Sequence, residues 1–504
     1  MPDLLSDSIS VISITSNSSR MSAKARPPII SPFMPFSTQV SIDPRENECY
    51  QTYGSTSSNL QESNSSSSDN DDETESLEEE PAKGFIRDWI DNIKSFNASQ
   101  LITIAILCSS NLCSTTAFSC IAPFYPAVAK SKLLSETQTG IVFGIFEFVM
   151  FLTAPFLGVY IHRFGIFRMY IFGQIMTGIT AIIFGMLIFL PNGLLFFFGS
   201  SFIRIFETFG DAAFVTSSFV IAVNQFPKNV AFVLALMETF AGLGYSVGPM
   251  IGGILYDMGG FMVPFLILGL VLIVNTMCGA MLIKYKSETI IEDDGKGILA
   301  MLKIRDIWLS LFAVFCCAVS LSYLDPALPP HLETFKLSTT QIGFMFFLSG
   351  GSYAVSSPLL GPLVDHYNHG TLLTLVGAIF TAIGLLLIGP SPLFNPYLQP
   401  SLIYTGVALF ILGISSSCLY VPAFQMCLDS VKEHDFKDNY RTYGCISGIF
   451  QSAFGFGSFI GPTLGSYLSE QIAFAWTTTV VSILPIVLFF LLILNYSAKR
   501  CSKD

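Results

Sequence analysis

From Ser95 to Ala129 not one residue carries a charge. A bilayer demands such runs, because each crossing is a helix of about 20 predominantly apolar residues that satisfies its own backbone. Comparable stretches recur along the chain, divided by turn signals. They predict helices over about 100–122, 137–160, 166–189, 194–219, 231–255 and 261–284. A second set covers about 306–326, 339–363, 371–389, 400–424, 441–466 and 471–495. Pro191-Asn192-Gly193 and the run from Gly389-Pro390 to Pro396 read as short hairpin connections. Only 12% of the 504 residues are charged, against about 25% in a soluble domain, and mean hydropathy is +0.60. The expected fold class is therefore an all-α membrane protein of about twelve transmembrane helices.

The expected organisation follows from where the charges lie. Residues 1–98, rich in Ser, Asn, Asp and Glu, read as a disordered cytoplasmic tail without the apolar core of a cleavable signal. A six-helix bundle over 99–284, a polar cytoplasmic linker over 285–305, a second bundle over 306–496 and a cytoplasmic tail over 497–504 complete the chain. Much of the acid behind the net charge of −11 sits in one run from Asp69 to Glu80, so the balance points to no nucleic-acid partner. Ser66 and Ser68 each precede an Asp by three residues, a pattern open to an acid-directed kinase or to plain solvation.

An even number of spans puts both termini on one side. His162-Arg163, Arg168, Lys228, the Lys284–Arg305 segment and Lys499, Arg500 and Lys503 all fall there. Lys130, Lys132 and Lys336 are exceptions on the other side. The excess of Lys and Arg assigns the termini to the cytoplasm. The 11 cysteines show no metal-binding spacing, and adjacent Cys316 and Cys317 read as packing thiols. No phosphate loop and no nucleophile–base constellation is present, so neither an enzyme nor a resident cofactor or metal is expected.

The halves repeat. Pro123 and Pro126 pair with Pro326 and Pro329, and Ala154-Pro155-Phe156-Leu157-Gly158 pairs with Ser357-Pro358-Leu359-Leu360-Gly361, all at an offset of 203 residues. Gly244-x-x-x-Gly248-Pro249-x-x-Gly252 matches Gly457-x-x-x-Gly461-Pro462-x-x-Gly465. Parallel six-helix repeats imply a pseudo-two-fold axis along the membrane normal, with the site between the halves.

Ionisable groups inside spans cost about 2.5–3.5 kcal/mol each on insertion, so they read first as functional. These are Glu147 in helix 2, Arg204, Glu207 and Asp211 in helix 4, Glu238 in helix 5 and Asp325 at the end of helix 7. Arg204 and Glu207 are spaced to pair on one helix face, a structural reading of equal weight. Desolvation penalises a bare carboxylate, so one that exchanges a proton for a cation is what proton-coupled cation transport needs. Asp325 also fits a water-exposed mouth. Tyr125, Tyr245, Tyr323 and Tyr420 offer cation–π faces or interfacial anchors. Glu147, Arg204, Glu207, Asp211, Glu238 and Asp325, with Asn111, Tyr323 and Tyr420, form the candidate substrate and proton site.

The helix 2–3 connection, Gly158-x-x-x-His162-Arg163-x-Gly165-x-x-Arg168, resembles the cytoplasmic loop signature of the major facilitator superfamily, with His162 where Asp is usual. Its second copy, Gly361-x-x-x-Asp365-His366, keeps the Asp. Gly158, Arg163, Arg168, Gly361 and Asp365 are thus gate candidates, and Gly248, Pro249, Gly461 and Pro462 hinge candidates. Small residues let helices approach closely and Pro bends them.

A narrower resemblance rests on Ile121-Ala-Pro-Phe-Tyr-Pro126, Leu236-Met-Glu-Thr-Phe-Ala-Gly-Leu-Gly244, Tyr323-Leu-Asp-Pro326, Ser356-Ser-Pro-Leu359 and Gly461-Pro-Thr-Leu-Gly465. From about residue 100 onward these look like the vesicular amine transporter family, most like its polyamine-transporter branch. Monoamine and acetylcholine carriers place Asp before the helix 1 Asn and on helices 10 and 11. Here Ser110 precedes Asn111, and Ser416 or a neighbour and Ser452 stand at the other two places. Glu147, Glu207, Glu238 and Asp325 match acidic positions of the polyamine branch. The resemblance implies a monomeric major facilitator fold exchanging protons for spermine or spermidine in acidic vesicles. Its partners are then a small cation, protons and lipid. Plasma-membrane efflux of drugs or metabolites, and a non-transporting scaffold or sensor, are the competing readings.

Overall fold

The computed structural model describes residues 96–226, 230–283, 298–367, 370–394, 399–434, 436 and 440–501. Among these there is no strand, and twelve helices of 18 residues or more succeed one another. They are α1 (Ala98–Ser119), α2 (Glu136–Phe164), α3 (Ile166–Met186), α4 (Leu194–Gln225), α5 (Val230–Gly259) and α6 (Met262–Leu282) in the first half. In the second half they are α7 (Arg305–Ser322), α8 (Thr339–Tyr367), α9 (Gly370–Ile388), α10 (Leu402–Lys432), α11 (Tyr440–Ile472) and α12 (Phe474–Cys501). Among the described residues, nine are long and apolar enough to cross a membrane by length and composition. Large apolar side chains such as Phe172, Phe198, Met281 and Leu494 stay exposed on the outside, as a lipid-facing surface requires. The acidic tail with Ser66 and Ser68, Lys228, and the linker residues 284–297 lie outside the described residues.

Two short helices appear, one after the first span of each half. α1 stops at Ser119, and Pro126 opens a separate helix, Tyr125–Ser131. α7 stops at Ser322, and Asp325, Pro326, Pro329 and Pro330 fall in Leu324–Glu333. The expected helices 1 and 7 therefore end a few residues early, since a Pro lacks the N–H to continue a ladder but is welcome in a first turn.

The repeat extends to the packing. Gly244 and Gly248 of α5 press on Leu112–Thr115 and Thr116–Ser119 of α1, while Gly457 and Gly461 of α11 press on Phe315–Ala318 and Val319–Ser322 of α7. Every partner residue is displaced by the same 203 positions, and every glycine by 213. Even the left-handed residues repeat: Leu133 (φ 65°) answers Lys336 (φ 54°), and Gly260 (φ 74°) answers Ala473 (φ 66°).

The halves meet chiefly through two helix pairs, α2 with α11 and α5 with α8, and also through the short helices Tyr125–Ser131 and Leu324–Glu333. Both contacts tighten toward the face remote from Ala98 and Cys501, called here the distal face. Gly140 of α2 lies on Pro462 and Ser466, and Gly343 of α8 lies on Pro249 and Met250. At the distal end Thr137 donates its backbone N–H (2.9 Å) and hydroxyl (2.6 Å) to Glu470 Oε2. Thr340, the equivalent residue, does the same to Asp257 Oδ2, at 2.8 and 2.6 Å.

Candidate functional site

Behind that closure lies a cavity between the halves. α1 contributes Asn111, Ser114 and Phe118, α2 Phe146 and Glu147, α4 Asp211 and α5 Tyr245. The second half contributes Ser322, Asp325, and Gln451, Gly455, Ser458 and Pro462 of α11. Three carboxylates line it, and among its described residues there is no Lys, Arg or His.

Each carboxylate is held differently. Ser114 Oγ donates to Asp211 Oδ1. Tyr245 donates its hydroxyl to Asp325 Oδ2 at 3.4 Å, and its ring lies 6.1 Å from that of Phe118. Glu147 feels the negative charge of both Asp211 and Asp325. Three like charges sharing one low-dielectric space repel one another unless protons or a cation join them. Asn111 Nδ2 is engaged by Leu107 O of its own helix, at 2.8 Å.

Arg204 and Glu207 lie beside this cavity rather than on it. They form a salt bridge of 2.9 Å with each side chain almost wholly buried. The guanidinium stands over three rings, 5.7 Å from Phe118 and Phe146 and 5.0 Å from Phe184. Its Nε and Nη2 have no hydrogen-bond partner among the described residues, so the aromatic faces complete its environment. Glu238 is also off the cavity. It is 1% exposed, its Oε2 has no hydrogen-bond partner among the described residues, and its charge is felt by Tyr353 of α8 and Tyr420 of α10 across the interface.

The tyrosines divide. Tyr245 lines the cavity. Tyr323 is fully buried against Gly465 and 6.1 Å from the Phe474 ring, and Tyr420 packs edge-on to Phe450 and Phe454. Tyr125 is enclosed by Phe143, Phe184 and Phe196. None of these three lines the cavity.

The neutral substitutions also find places. Ser110 faces away from the cavity into a polar cluster, 2.8 Å from Tyr170 Oη and accepting from Asn275 Nδ2 at 2.8 Å. Ser416 is buried, its carbonyl facing Cys317 Sγ, and Ser452 bonds back to Gly448 O of its own helix. Of the gate candidates, Arg168 is exposed at the start of α3. The side chains of Gly158, Arg163, Gly361 and Asp365 lie outside the described residues. The hinge candidates sit at the bundle contacts already described, and Pro462 reaches the cavity wall.

Sequence reasoning missed Ser114, Gln451, Gly455 and Ser458. Neutral side chains raise no insertion penalty, so nothing flagged them. The repeat offset was the available signal, because Gln451 stands 213 residues after Glu238, as Gly457 does after Gly244.

Comparison with known proteins agrees with this architecture. The Major Facilitator Superfamily model matches residues 107–437 and 310–500. MFS-type transporter SLC18B1 of Homo sapiens is 32% identical over 415 residues, covering 80% of this chain and 89% of its own. The synaptic vesicular amine transporter of Mus musculus is 24% identical over 375 residues, covering 73% of this chain and 68% of its own. Among solved structures, a bacterial homolog of the human lysosomal transporter Spinster, in an inward-facing and occupied conformation, superposes with a TM-score of 0.64. It is 13% identical and covers 80% of this chain and 98% of its own, a likeness of fold.

Proposed function

Because the chain belongs to the major facilitator superfamily, in the group that holds MFS-type transporter SLC18B1 and the synaptic vesicular amine transporters, we propose that this membrane transporter is a proton/organic-cation antiporter that loads polyamines into acidic vesicles. The chain is not an enzyme. One observation carries the reading: three carboxylates from both halves share a cavity with aromatic rings and, among its described residues, no basic one. An extended multi-cation presents separated ammonium groups, and separated carboxylates with π-faces between them are its complement. The same groups, emptied of cation, relieve their mutual repulsion by taking up protons.

The distal face is the lumenal one on this reading, and the present conformation is closed to it. Protons arriving from the acid lumen fill the carboxylates and displace the cation, and the unloaded halves rock back. Each pH unit supplies about 1.4 kcal/mol per proton. Each charge moved through 100 mV costs or gains about 2.3 kcal/mol, so concentrating a multi-cation takes more than one proton per cycle.

The test uses purified full-length protein in liposomes with an acid interior. Labelled spermidine is expected to accumulate inside, and a protonophore is expected to discharge it. Accumulation of lipophilic monovalent drugs with no movement of spermidine would instead favour the efflux reading.

A further inference from the structure

Glu238 and Gln451 hold equivalent positions in the two repeats, yet they face different surroundings. Each ends in a buried oxygen without a hydrogen-bond partner among the described residues, Oε2 in Glu238 and Oε1 in Gln451. Glu238 is sealed at the α5–α8 contact, whereas Gln451 lines the cavity. One turn further along α11, Gly455 lines it too. A Cβ at Gly455 would meet nothing within 4 Å except Glu147 Oε2, at 3.9 Å. The wall of α11 is therefore cut away where it faces the Glu147 carboxylate, one turn from Gln451 on the same cavity wall.

The chemistry of that gap is specific. Glu147 Oε2 beside the gap and Gln451 Oε1 one turn away are both acceptors, and the amide oxygen has no hydrogen-bond partner among the described residues. Buried acceptors are rarely left unpaired, and those that are call for a partner supplied from outside the chain. A protonated primary or secondary amine brings two or three N–H donors and no acceptor, so it satisfies a carboxylate and a carbonyl at once. A quaternary ammonium has the same charge and no N–H donor. It leaves the Gln451 oxygen unpaired, and sites built to bond a missing donor reject the analogue that lacks it.

We infer that Gln451 and Gly455, facing Glu147, form the subsite for one ammonium end of the transported cation, and that Gln451 makes the transporter select N–H-bearing amines over quaternary ones. This rests on the cation reading above and adds the group that discriminates within that class.

The experiment compares 1,4-diaminobutane with its bis(trimethylammonium) analogue in proteoliposomes with an acid interior. The wild type is expected to show a higher kcat/KM for the diamine. In Gln451→Met, which keeps length and shape but loses the acceptor, the ratio of the two kcat/KM values is expected to fall at least tenfold, through the KM of the diamine. Gln451→Glu restores an acceptor and is expected to keep or widen the preference, which guards against a mere folding defect. Gly455→Val fills the gap and is expected to raise KM for both cations. An unchanged ratio in Gln451→Met, or an equal loss of both substrates in Gln451→Met and Gln451→Glu, overturns the subsite while leaving cation transport standing. A wild-type protein that moves neither cation overturns both.

Discussion

Lys130 and Glu333 occupy the same position in the two repeats and face each other across the distal face, Nζ to Oε2 at 3.6 Å. Equivalent residues of two repeats can touch only at the axis that relates them, so this exposed pair marks where the pseudo-two-fold axis leaves the molecule. An exposed ion pair contributes between nothing and about 1 kcal/mol. The stronger distal contacts flank it, where Glu470 caps the first turn of α2 and Asp257 the first turn of α8, each carboxylate from the opposite half. A carboxylate at a helix N-terminus meets both the free N–H groups and the positive end of the helix dipole.

Removing either cap should loosen the distal face. Asp257→Ala and Glu470→Ala are each expected to cost about 1 kcal/mol of closure, less than the roughly 1.5–3 kcal/mol of a typical bond to a charged group because both are exposed. That is about a fivefold change in the ratio of closed to open forms, and the two should multiply in the double variant, since the sites are separate. The readout is labelling of a cysteine placed at Ser322 by a membrane-impermeant thiol reagent from the distal side. Equal labelling in the parent and the double variant would dissociate these contacts from closure.

Gly343 should be the strictest position of the interface. A Cβ there lands 2.9 Å from Met250 Cα and closer still to the Pro249 carbonyl, backbone atoms that cannot step aside. Gly343→Leu is expected to hold the distal face open. Transport stops, yield and melting stay near the parent, and thiol labelling from the distal side rises. Retained turnover would show that the α5–α8 contact need not re-form in each cycle.

The Arg204–Glu207 pair invites a different measurement. Removing one member of a buried pair costs about 3–5 kcal/mol, because the other charge is left uncompensated. Glu207→Ala is therefore expected to lower the thermal unfolding midpoint sharply. Arg204→Met combined with Glu207→Met should recover most of the loss, since apolar groups of similar size suit a niche lined by Phe118, Phe146 and Phe184. A double variant as unstable as the single one would assign the niche to the charges themselves.

Glu238→Gln is expected to abolish nearly all proton-driven uptake while the protein remains folded. The amide keeps the shape and removes the group able to gain and lose a proton at the α5–α8 contact. Uptake unchanged from the parent would take Glu238 out of the mechanism and leave the work to the three cavity carboxylates.

How far the sequence foretold this arrangement differs from residue to residue. The expected Pro191–Gly193 hairpin is there, with Gly193 turned to φ 86° between α3 and α4, because such a turn is decided locally. Glu147, Asp211 and Asp325 were visible as candidates because lipid makes charge expensive, and the structure brings them to one cavity. Tyr323 and Tyr420 were equally visible, yet they pack in the bundle interiors, since an aromatic ring serves a core as well as a cation. Gln451 and Gly455 matter only through what stands opposite, and hydropathy describes one helix at a time. The pairing of α2 with α11 and α5 with α8 was likewise illegible, although the repeat dictated that finding one pair would give the other.

The paired caps at Thr137 and Thr340 lie on opposite sides of the axis, and this bears on leakage. A thermal fluctuation that frees one cap leaves the other as a pivot, so the gap it makes is lopsided and narrow. A full passage needs both ruptures together, an event whose probability is the product of two small ones. A steep ion gradient can therefore be held behind fastenings that are individually weak.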